Sequence, residues 1–354
     1  MTDLGRAGRK DDHVRLAAEQ RAEPPHNEFD DLDFVHHALA AIDVDSVAIG
    51  VQVDDWAWES PFYVNGMTGG TDATARINRD LAIAAAETGM PMASGSVSIA
   101  LDEPDAARSF TVIRDENPDG FVMANIGVGR SADDAVRAVE LLRADALQLH
   151  INAVQEVVMP EGARDFSSWM RSVEQIAAAS PVPVIAKEVG FGLSRRTLRR
   201  LADLGIRVAD VSGRGGTDFL RIENDRRTGG DFSIMTGFGQ SAPASLLDAP
   251  DDGPTLLASG GVRNPYDVVK ALASGASAVG VAGTFLQAVL DGGAEALVSL
   301  VRDWQDQTRS IMALLGAASP AALASADLVV RGRLAEYLRL RGVDLAALAR
   351  RSDT

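Results

Sequence analysis

Residues 61–88, PFYVNGMTGGTDATARINRDLAIAAAET, contain one strand, one loop and one helix in sequence. The apolar run Phe62–Asn65 is typical of a buried parallel strand, the glycine-rich residues 66–70 form a loop, and Asp72–Thr88 is predicted to be helical. Seven further units of this kind follow. The predicted strands of the eight units are 62–65, 91–94, 121–125, 147–152, 182–187, 208–212, 255–259 and 278–282.

The helices predicted after these strands complete the pattern of alternating strands and helices. They are 72–88, a helix from about Pro104, then 131–143, 166–179, 194–204, a helix that starts at Asn264-Pro265, and a long helix 284–315. Eight strand–helix units predict a (β/α)8 TIM barrel. A doubly wound parallel sheet is the alternative, although it usually contains fewer units.

The rest of the chain flanks this barrel. We expect an N-terminal arm and cap in residues 1–60, with a short helix at Asp11–Arg21, the barrel in 61–318, and C-terminal helices in 319–354. The connection 213–242 is too long for an ordinary loop between a strand and its helix. It is predicted to be either an active-site lid or a disordered insertion.

Composition excludes several classes of function. A formal net charge of −16 argues against nucleic acid as a partner. The chain has no cysteine, so thiolate chemistry and cysteine-bound metals are absent. No apolar run approaches the roughly 20 residues that span a bilayer, and the polar residues 1–12 lack the apolar core of a signal peptide. We therefore expect a cytoplasmic protein that does not bind membranes.

Polar residues or glycines stand at the C-terminal end of every predicted strand. In a barrel these ends share one face, where the active site is built. The residues are Thr68, Ser96, Asn125, His150 with Asn152, Lys187, Ser212 with Thr217, Gly260-Gly261 and Ala282-Gly283. One such residue could simply be a solvated strand end, but a full ring of them indicates a functional site.

The strand predicted at 147–152, LQLHIN, is the most polar of the eight at its end. Alternation places His150 and Asn152 on the same strand face, and Gln155 and Glu156 follow in the predicted loop 153–162. A structural role for His150 at a polar strand end is the alternative interpretation.

The last two units predict a phosphate site. Gly260, Gly261 and Gly283 precede helices, where backbone N–H groups and the helix dipole favour an anion. Glycines used only for tight turns are the alternative.

With Lys187 across the barrel mouth, where it could stabilise negative charge on a reduced flavin ring, the pattern suggests flavin mononucleotide (FMN). Thr68 and Asn125 could then bind the polar edges of the ring.

Several motifs, in order along nearly the whole chain, resemble those of type 2 isopentenyl-diphosphate isomerases. The Arg-Lys-x-x-His start and the His-x-Asn-x-x-Gln-Glu run are the most particular of them. The motifs are RKDDH at 9–13, GMTGG at 66–70, LQLHIN at 147–152 with Gln155-Glu156, VIAKEVG at 184–190, GRGGT at 213–217 and ASGG at 258–261.

The resemblance implies an FMN-dependent isomerase that interconverts isopentenyl and dimethylallyl diphosphate, with NADPH as the reductant and Mg²⁺. It implies that Arg9, Lys10, His150 and Asn152 hold the diphosphate. Gln155 would also contact the substrate, beside the reacting carbons, and with His150 would be a catalytic candidate; Glu156 would bind Mg²⁺. The implied FMN-binding residues are Met67, Thr68, Gly69, Ser96, Asn125, Lys187, Ser212, Thr217, Gly260, Gly261, Arg263, Ala282 and Gly283.

Reduced flavin also suits the migration of the double bond, which needs an acid and a base that act on substrate carbons. The sequence shows no cysteine and no evident pair of isolated buried carboxylates that could take this role. The resemblance further implies a homo-oligomer, either a tetramer or an octamer.

Two positions depart from the family pattern, and two other functions remain open. Val97 stands where the family usually has glutamine, and Phe238 where it commonly has tryptophan; both changes affect the substrate side. An FMN-dependent oxidoreductase of the 2-hydroxy-acid oxidase type is one alternative, but it needs a histidine base near the ring. None of the five histidines follows predicted strand six or seven. A non-catalytic protein that binds flavin or prenyl diphosphate is the other.

Overall fold

Eight parallel strands close into a barrel in the computed structural model, which describes Arg15, Leu16, Gln20 and residues 26–353. The strands of the described chain are β1 Leu32–Phe34, β2 Val51–Val53, β3 Trp56–Trp58, β4 Phe62–Val64, β5 Met92–Ala93, β6 Val122–Gly127, β7 Ala146–His150, β8 Val184–Lys187, β9 Val208–Asp210, β10 Thr255–Ser259, β11 Ala278–Val281 and β12 Leu328–Val330. Strands β4 to β11 pair in chain order, and β11 pairs with β4. This closure confirms the (β/α)8 barrel and excludes the open doubly wound sheet.

Helices lie between successive barrel strands and around the barrel, including two between β9 and β10, where the sequence predicts only a long connection. Among the described residues they are α1 Asp72–Thr88, α2 Ser98–Asp102, α3 Arg108–Glu116, α4 Ala132–Leu142, α5 Ala153–Val158, α6 Trp169–Ala179, α7 Arg195–Asp203, α8 Phe219–Asp225, α9 Ala242–Leu247, α10 Pro265–Ala273, α11 Gly283–Leu314, α12 Gly332–Leu340 and α13 Leu345–Leu348. The predicted bounds of α1 are confirmed.

Local capping explains why several predicted helix starts agree with the structure. Thr71 forms a capping box with Thr74 at the start of α1. Asn264 accepts a hydrogen bond from the N–H of Asp267, and Pro265 occupies the first turn of α10. These caps satisfy N–H groups that have no partner inside the helix, and their residue types can be recognised in the sequence.

Three predicted segments were wrong in part. The strand predicted at 147–152 ends at His150, and the expected loop that follows contains α5. A short helix α2 and the 3₁₀ turn Pro104–Ala107 precede α3, where one helix was expected. The long last barrel helix α11 is interrupted by non-helical backbone at Gly292 and Gly293.

Tertiary packing explains the first of these corrections. Val154 and Val158 of α5 pack with Phe191 and Leu220, so a few apolar residues are enough to hold a short helix against the lid. Periodicity cannot separate such a short amphipathic helix from the end of a strand.

The hairpin β2–β3 closes one end of the barrel. Val53 and Trp58 are buried together with Met123, Ile185 and Leu257, which come from the barrel strands or the residues next to them. This is the end where the barrel strands begin. This part of the predicted cap segment therefore covers the face opposite to the strand ends that carry the candidate site.

The two terminal regions of the described chain pair with each other. Strand β1 pairs antiparallel with β12, with Leu32 opposite Val330. The C-terminal segment thus contributes a strand as well as the helices that the sequence predicts.

Helix α11 meets the length and hydropathy criteria of a membrane span, and it is the one helix of the described chain that does so. Its interruption at Gly292–Gly293 and its packing against α1 show that it is the eighth helix of the barrel. The predicted helix 11–21 falls mostly outside the described residues.

Truncation of Trp58 in the β2–β3 hairpin should destabilise the whole barrel. Trp58 is buried, and its ring packs edge-on against Tyr63 at 5.8 Å and tilted against Phe121 at 5.2 Å. We expect Trp58→Ala to lower the free energy of unfolding in urea by about 3–5 kcal/mol, because the cavity left behind cannot collapse fully.

Leu39→Ala is the control, since Leu39 is fully exposed and its truncation should change stability by less than about 0.5 kcal/mol. Equal effects of the two variants would show that the hairpin is not part of the barrel core.

Candidate active site

Lys187 lies at the C-terminal end of β8, and its side chain is buried. Its Nζ atom donates to the carbonyl oxygen of Glu188 at 2.8 Å and to Ser212 Oγ at 2.9 Å, and it lies 3.4 Å from Asp210 Oδ2. A buried ammonium requires partners of this kind. The structure therefore fixes this cation at the barrel mouth, where the sequence predicts it.

Asp210 forms the centre of a buried network beneath Lys187. Its carboxylate accepts hydrogen bonds from Tyr63 Oη at 2.9 Å, Ser259 Oγ at 2.8 Å and the backbone N–H of Ser212 at 3.0 Å. Burial, and then the charge of Asp210, raises the pKa of Tyr63 well above its usual value, so the phenol stays protonated and donates. Sequence reasoning missed this network, although a charged residue inside the apolar strand 208–212 pointed to it.

Glu188 shapes the loop that follows Lys187. Its Oε2 atom accepts hydrogen bonds from the backbone N–H groups of Val189, Gly190 and Phe191, at 2.6, 2.8 and 2.5 Å. Burial raises the pKa of Glu188 to about 7, and the three donors oppose part of that rise. The carboxyl group thus holds the backbone of these three residues in a tight turn beneath the lid.

His150 and Asn125 form a second polar pair at the barrel mouth, on the neighbouring strands β7 and β6. Asn125 Nδ2 donates to Gln148 Oε1 at 3.0 Å, which leaves Asn125 Oδ1 to accept from His150 Nδ1 at 2.8 Å. Because Oδ1 can only accept, Nδ1 carries the hydrogen. Gln148 is fully buried and orients this pair, a contribution that the sequence analysis did not identify.

Asn152, Gln155 and Glu156 converge at the start of α5. Asn152 Nδ2 lies 3.1 Å from Gln155 Oε1 and 3.1 Å from Glu156 Oε1, while Gln155 Nε2 donates to Glu223 Oε1 at 3.0 Å. Glu223 is buried and belongs to α8 in the lid. Two carboxylates thus lie on either side of the Asn152–Gln155 amides. They are not a pair of isolated buried carboxylates, since Glu156 is half-buried and Glu223 pairs with Arg226.

The connection 213–242 is an ordered lid that contains α8 and the 3₁₀ turn Ser233–Met235. Glu28 anchors it through Arg214 Nη2 at 2.8 Å and through a hydrogen bond from Ser241 Oγ. Gln20, from the N-terminal arm, bonds both the N–H and the carbonyl oxygen of Asp218, at 3.0 and 3.2 Å. The arm and the lid are therefore connected directly.

Glycines allow three backbone segments to meet at the predicted phosphate site. A side chain on Gly260 would place its Cβ atom 1.9 Å from the carbonyl oxygen of Gly213, and one on Gly216 would come 2.9 Å from the nitrogen of Gly261. Asn27 Nδ2 donates to the carbonyl oxygen of Gly261 at 2.6 Å. The absence of side chains is thus required here whether or not an anion is bound.

Several observations of this structure fit FMN. The hydroxyl oxygens of Thr68 and Ser94 are buried without a hydrogen-bond partner among the described residues, and both follow strands at the barrel mouth. Buried polar atoms usually have hydrogen-bond partners. Two hydroxyl groups without partners at this face are therefore suited to a bound polar molecule. Together with the Lys187 cation, they fit the polar groups of a flavin.

The other predicted cofactor residues differ in how the structure uses them. Met67, Ser96, Thr217 and Ala282 are half-buried and Gly283 is exposed, while Gly69 is buried. Arg263 bonds Asp267 through Nε at 2.9 Å and Asp30 through Nη2 at 2.6 Å, and these carboxylates raise the pKa of Arg263 well above its usual value. A phosphate near the Arg263 side chain would have to compete with both carboxylates. Arg9 and Lys10 lie outside the described residues.

Residues 136–330 match the family of FMN-dependent dehydrogenases. An isopentenyl-diphosphate delta-isomerase of Nocardia farcinica is 57% identical, over 98% of this chain and 96% of that protein. Proteins of the same name are 54% identical in Kitasatospora griseola (99% and 97% covered) and 44% identical in Staphylococcus haemolyticus (98% and 99% covered).

The chain belongs to the isopentenyl-diphosphate delta-isomerase family. Solved structures add a likeness of fold only. The flavin-binding domain of flavocytochrome b2 from baker's yeast superposes with a TM-score of 0.63 at 20% identity, covering 96% of this chain and 80% of that chain. A mandelate oxidase with (S)-2-phenylpropionate gives a TM-score of 0.62 at 19% identity, with 90% of each chain covered.

The two departures from the isomerase family pattern lie in different environments. Val97 is fully buried next to the site, and its N–H bonds the carbonyl oxygen of Asn125 at 2.8 Å. Phe238 is half exposed on the lid. Only the first is therefore part of the packed wall around the site.

A side chain at Gly260 should prevent FMN binding. Gly260 has a φ of +92°, and the Cβ atom of Gly260→Ala would collide with the lid backbone at Gly213. We expect purified Gly260→Ala to contain less than about a tenth of the wild-type flavin, measured by absorbance after release.

Gly275→Ala is the matched control. Gly275 has a similar φ of +106° but no atom within 4 Å of the added Cβ, so this variant carries the backbone strain without the collision. Equal loss of flavin from both variants would trace the effect to general backbone strain.

Proposed function

We propose that the protein interconverts isopentenyl diphosphate and dimethylallyl diphosphate as an FMN-dependent isomerase. The near-complete alignment at 57% identity with an isopentenyl-diphosphate delta-isomerase carries this proposal. The convergence of Asn152, Gln155 and Glu156 at the same barrel face as Lys187 supports it. Because family membership extends over nearly the whole chain, the protein is an isomerase.

FMN is the cofactor, and Thr68, Asn125, Lys187, Ser212 and the glycines at 260–261 would hold it. When reduced, FMN supplies the proton donor and acceptor that the migrating double bond requires. We propose NADPH as the reductant, in accord with the family resemblance.

The substrate diphosphate would be held by Arg9, Lys10, His150 and Asn152. Asn125 holds the His150 ring through Nδ1, so the histidine is oriented before substrate arrives. Positioning of this kind, together with exclusion of water from a cationic intermediate, is the protein's main contribution to such a reaction.

Gln155 and His150 are the catalytic candidates, and Gln155 would lie beside the reacting carbons. Asn152 and Glu223 hold the Gln155 amide from both sides, at 3.1 and 3.0 Å. An amide is neutral, so it can lie against a carbocation without adding a base strong enough to quench it. Its fixed orientation would keep the prenyl chain in one conformation.

Glu156 would hold Mg²⁺ against the diphosphate. No cluster of three or more histidine and carboxylate residues within the described residues could hold a metal ion alone. Mg²⁺ commonly uses one or two carboxylates, several waters and substrate phosphate oxygens. A single Glu156 therefore suits a metal that is brought in with the substrate.

We further propose a cytoplasmic homo-oligomer, either a tetramer or an octamer, on the basis of the family resemblance. The 2-hydroxy-acid oxidase alternative is supported by the shared barrel and by the match of residues 136–330 to the FMN-dependent dehydrogenases. The isomerase is favoured over it, because the isomerase of Nocardia farcinica aligns with 98% of this chain at 57% identity.

The isomerase should convert isopentenyl diphosphate when FMN is reduced anaerobically and Mg²⁺ is present. Product formation is measured by chromatography of the prenyl diphosphates. A folded, flavin-loaded protein without turnover contradicts the proposal. Reduction of its flavin by a 2-hydroxy acid would favour the oxidoreductase, and tight binding without product would favour a binding protein.

Glu156→Gln should raise the Mg²⁺ concentration for half-maximal rate at least about tenfold, because the shape is kept but the charge is lost. Glu116→Gln is the control, since Glu116 pairs with Arg79 on a barrel helix away from the strand ends. A Mg²⁺ titration of Glu156→Gln that matches wild type removes Glu156 from the metal site.

A further inference from the structure

Lys187 is a buried cation, and Asp210 is the buried anion beside it. Their side chains are 7% and 0% exposed, and Nζ lies 3.4 Å from Oδ2. An unpaired charge at this depth is strongly unfavourable, and removing one partner of such a pair leaves the other uncompensated. The position of Lys187 therefore depends on Asp210.

Asp210 itself is held by strands on both sides of the barrel. Tyr63 donates from β4 and Ser259 from β10, while Asp210 ends β9. Both oxygens of the carboxylate are thus engaged, and the group has one orientation. Lys187, on β8, completes a cross-link of four strands at the height of the site.

Ser212 depends on the same carboxylate. It is a non-glycine residue with a φ of +37°, and its N–H donates to Asp210 Oδ1. Its hydroxyl oxygen accepts from Lys187 Nζ at 2.9 Å, so the hydroxyl hydrogen points away from the lysine and remains available as a donor. Both polar groups proposed to face FMN from this side are oriented by one buried residue.

We propose that Asp210 is a positioning residue of the flavin site, which fixes the Lys187 ammonium where it can contact the FMN ring. This inference rests on the proposed FMN site. Asp210 does not itself contact the cofactor in this proposal, since its oxygens are occupied by Tyr63, Ser259, Ser212 and Lys187.

A double-mutant cycle between Asp210 and Lys187 tests the proposal. Asp210→Asn keeps an oxygen that can accept from the Ser212 N–H, but it removes the anion next to Lys187. We expect Asp210→Asn to raise the FMN dissociation constant at least about tenfold, measured by fluorescence titration of the apoprotein. In the Lys187→Met background the same change should raise it less than about twofold.

The midpoint potential of bound FMN provides a second measurement. A cation beside the ring stabilises the negative charge of reduced flavin, so displacement of Lys187 should make the potential more negative. A potential that rises in Asp210→Asn would mean that Lys187 keeps its place without the aspartate. That result, or additive effects in the cycle, overturns the proposal.

Asp248→Asn is the matched control. Asp248 is also buried, and it pairs with Arg195 at 2.7 Å and Arg341 at 3.0 Å, outside the barrel. This variant should lose stability and keep FMN affinity within about twofold of wild type. A comparable loss of affinity in Asp248→Asn would identify the Asp210 effect as one of general destabilisation.

Two milder variants keep the proposal testable if Asp210→Asn does not fold. Tyr63→Phe and Ser259→Ala each remove one donor that orients the carboxylate but keep its charge. Each should weaken FMN binding by about two- to fivefold, and again only when Lys187 is present. If the wild-type protein binds no FMN, the proposed function fails; if it binds FMN and these variants bind equally well, only the role of Asp210 fails.

Discussion

The pairing of β11 with β4 is the constraint on which the rest of the structure depends. It closes the sheet, so residues that follow eight separate strands must share one rim. Closure also creates an interior that has to be filled, and the Trp58 hairpin blocks the end where the strands begin. The opposite end remains for polar groups. A site of Lys187, His150 and the residues of α5 is a consequence of that geometry.

Polar groups at the barrel mouth are held in place mostly by residues that do not face a ligand. Gln148 orients Asn125, which orients His150, and Asp210 holds Lys187. Such support is expected where function depends on orientation, because a lone lysine or histidine at a strand end has many rotamers. The lid adds a further layer, since Glu223 fixes Gln155.

Glycine serves two purposes in this protein that the sequence cannot separate. Before α10, glycines were predicted to admit a phosphate, and the structure shows that Gly260 must also lack a side chain because the backbone of Gly213 lies against it. The two explanations are compatible, because the close packing of the Gly213 and Gly260 backbones brings the lid to the barrel mouth and leaves backbone N–H groups at the predicted phosphate site. The steric requirement alone would account for glycine at this position, so the flavin assignment depends on Thr68, Ser94 and Lys187 as well.

The sequence by itself determined the barrel, most helix starts and the ring of strand-end residues, because these depend on local periodicity, capping residues and the rule that parallel strands share one direction. It also indicated the family through motifs at Arg9-Lys10 and His150–Glu156. The tertiary structure alone decided that α5 is a helix, that Glu223 bonds Gln155, and that Asp210 lies under Lys187. Glu223 is 68 residues from Gln155 in the chain, and no periodicity reports a contact at that separation. Buried polar pairs of this kind depend on which strands the fold brings together, and so they became visible only when the sheet was closed.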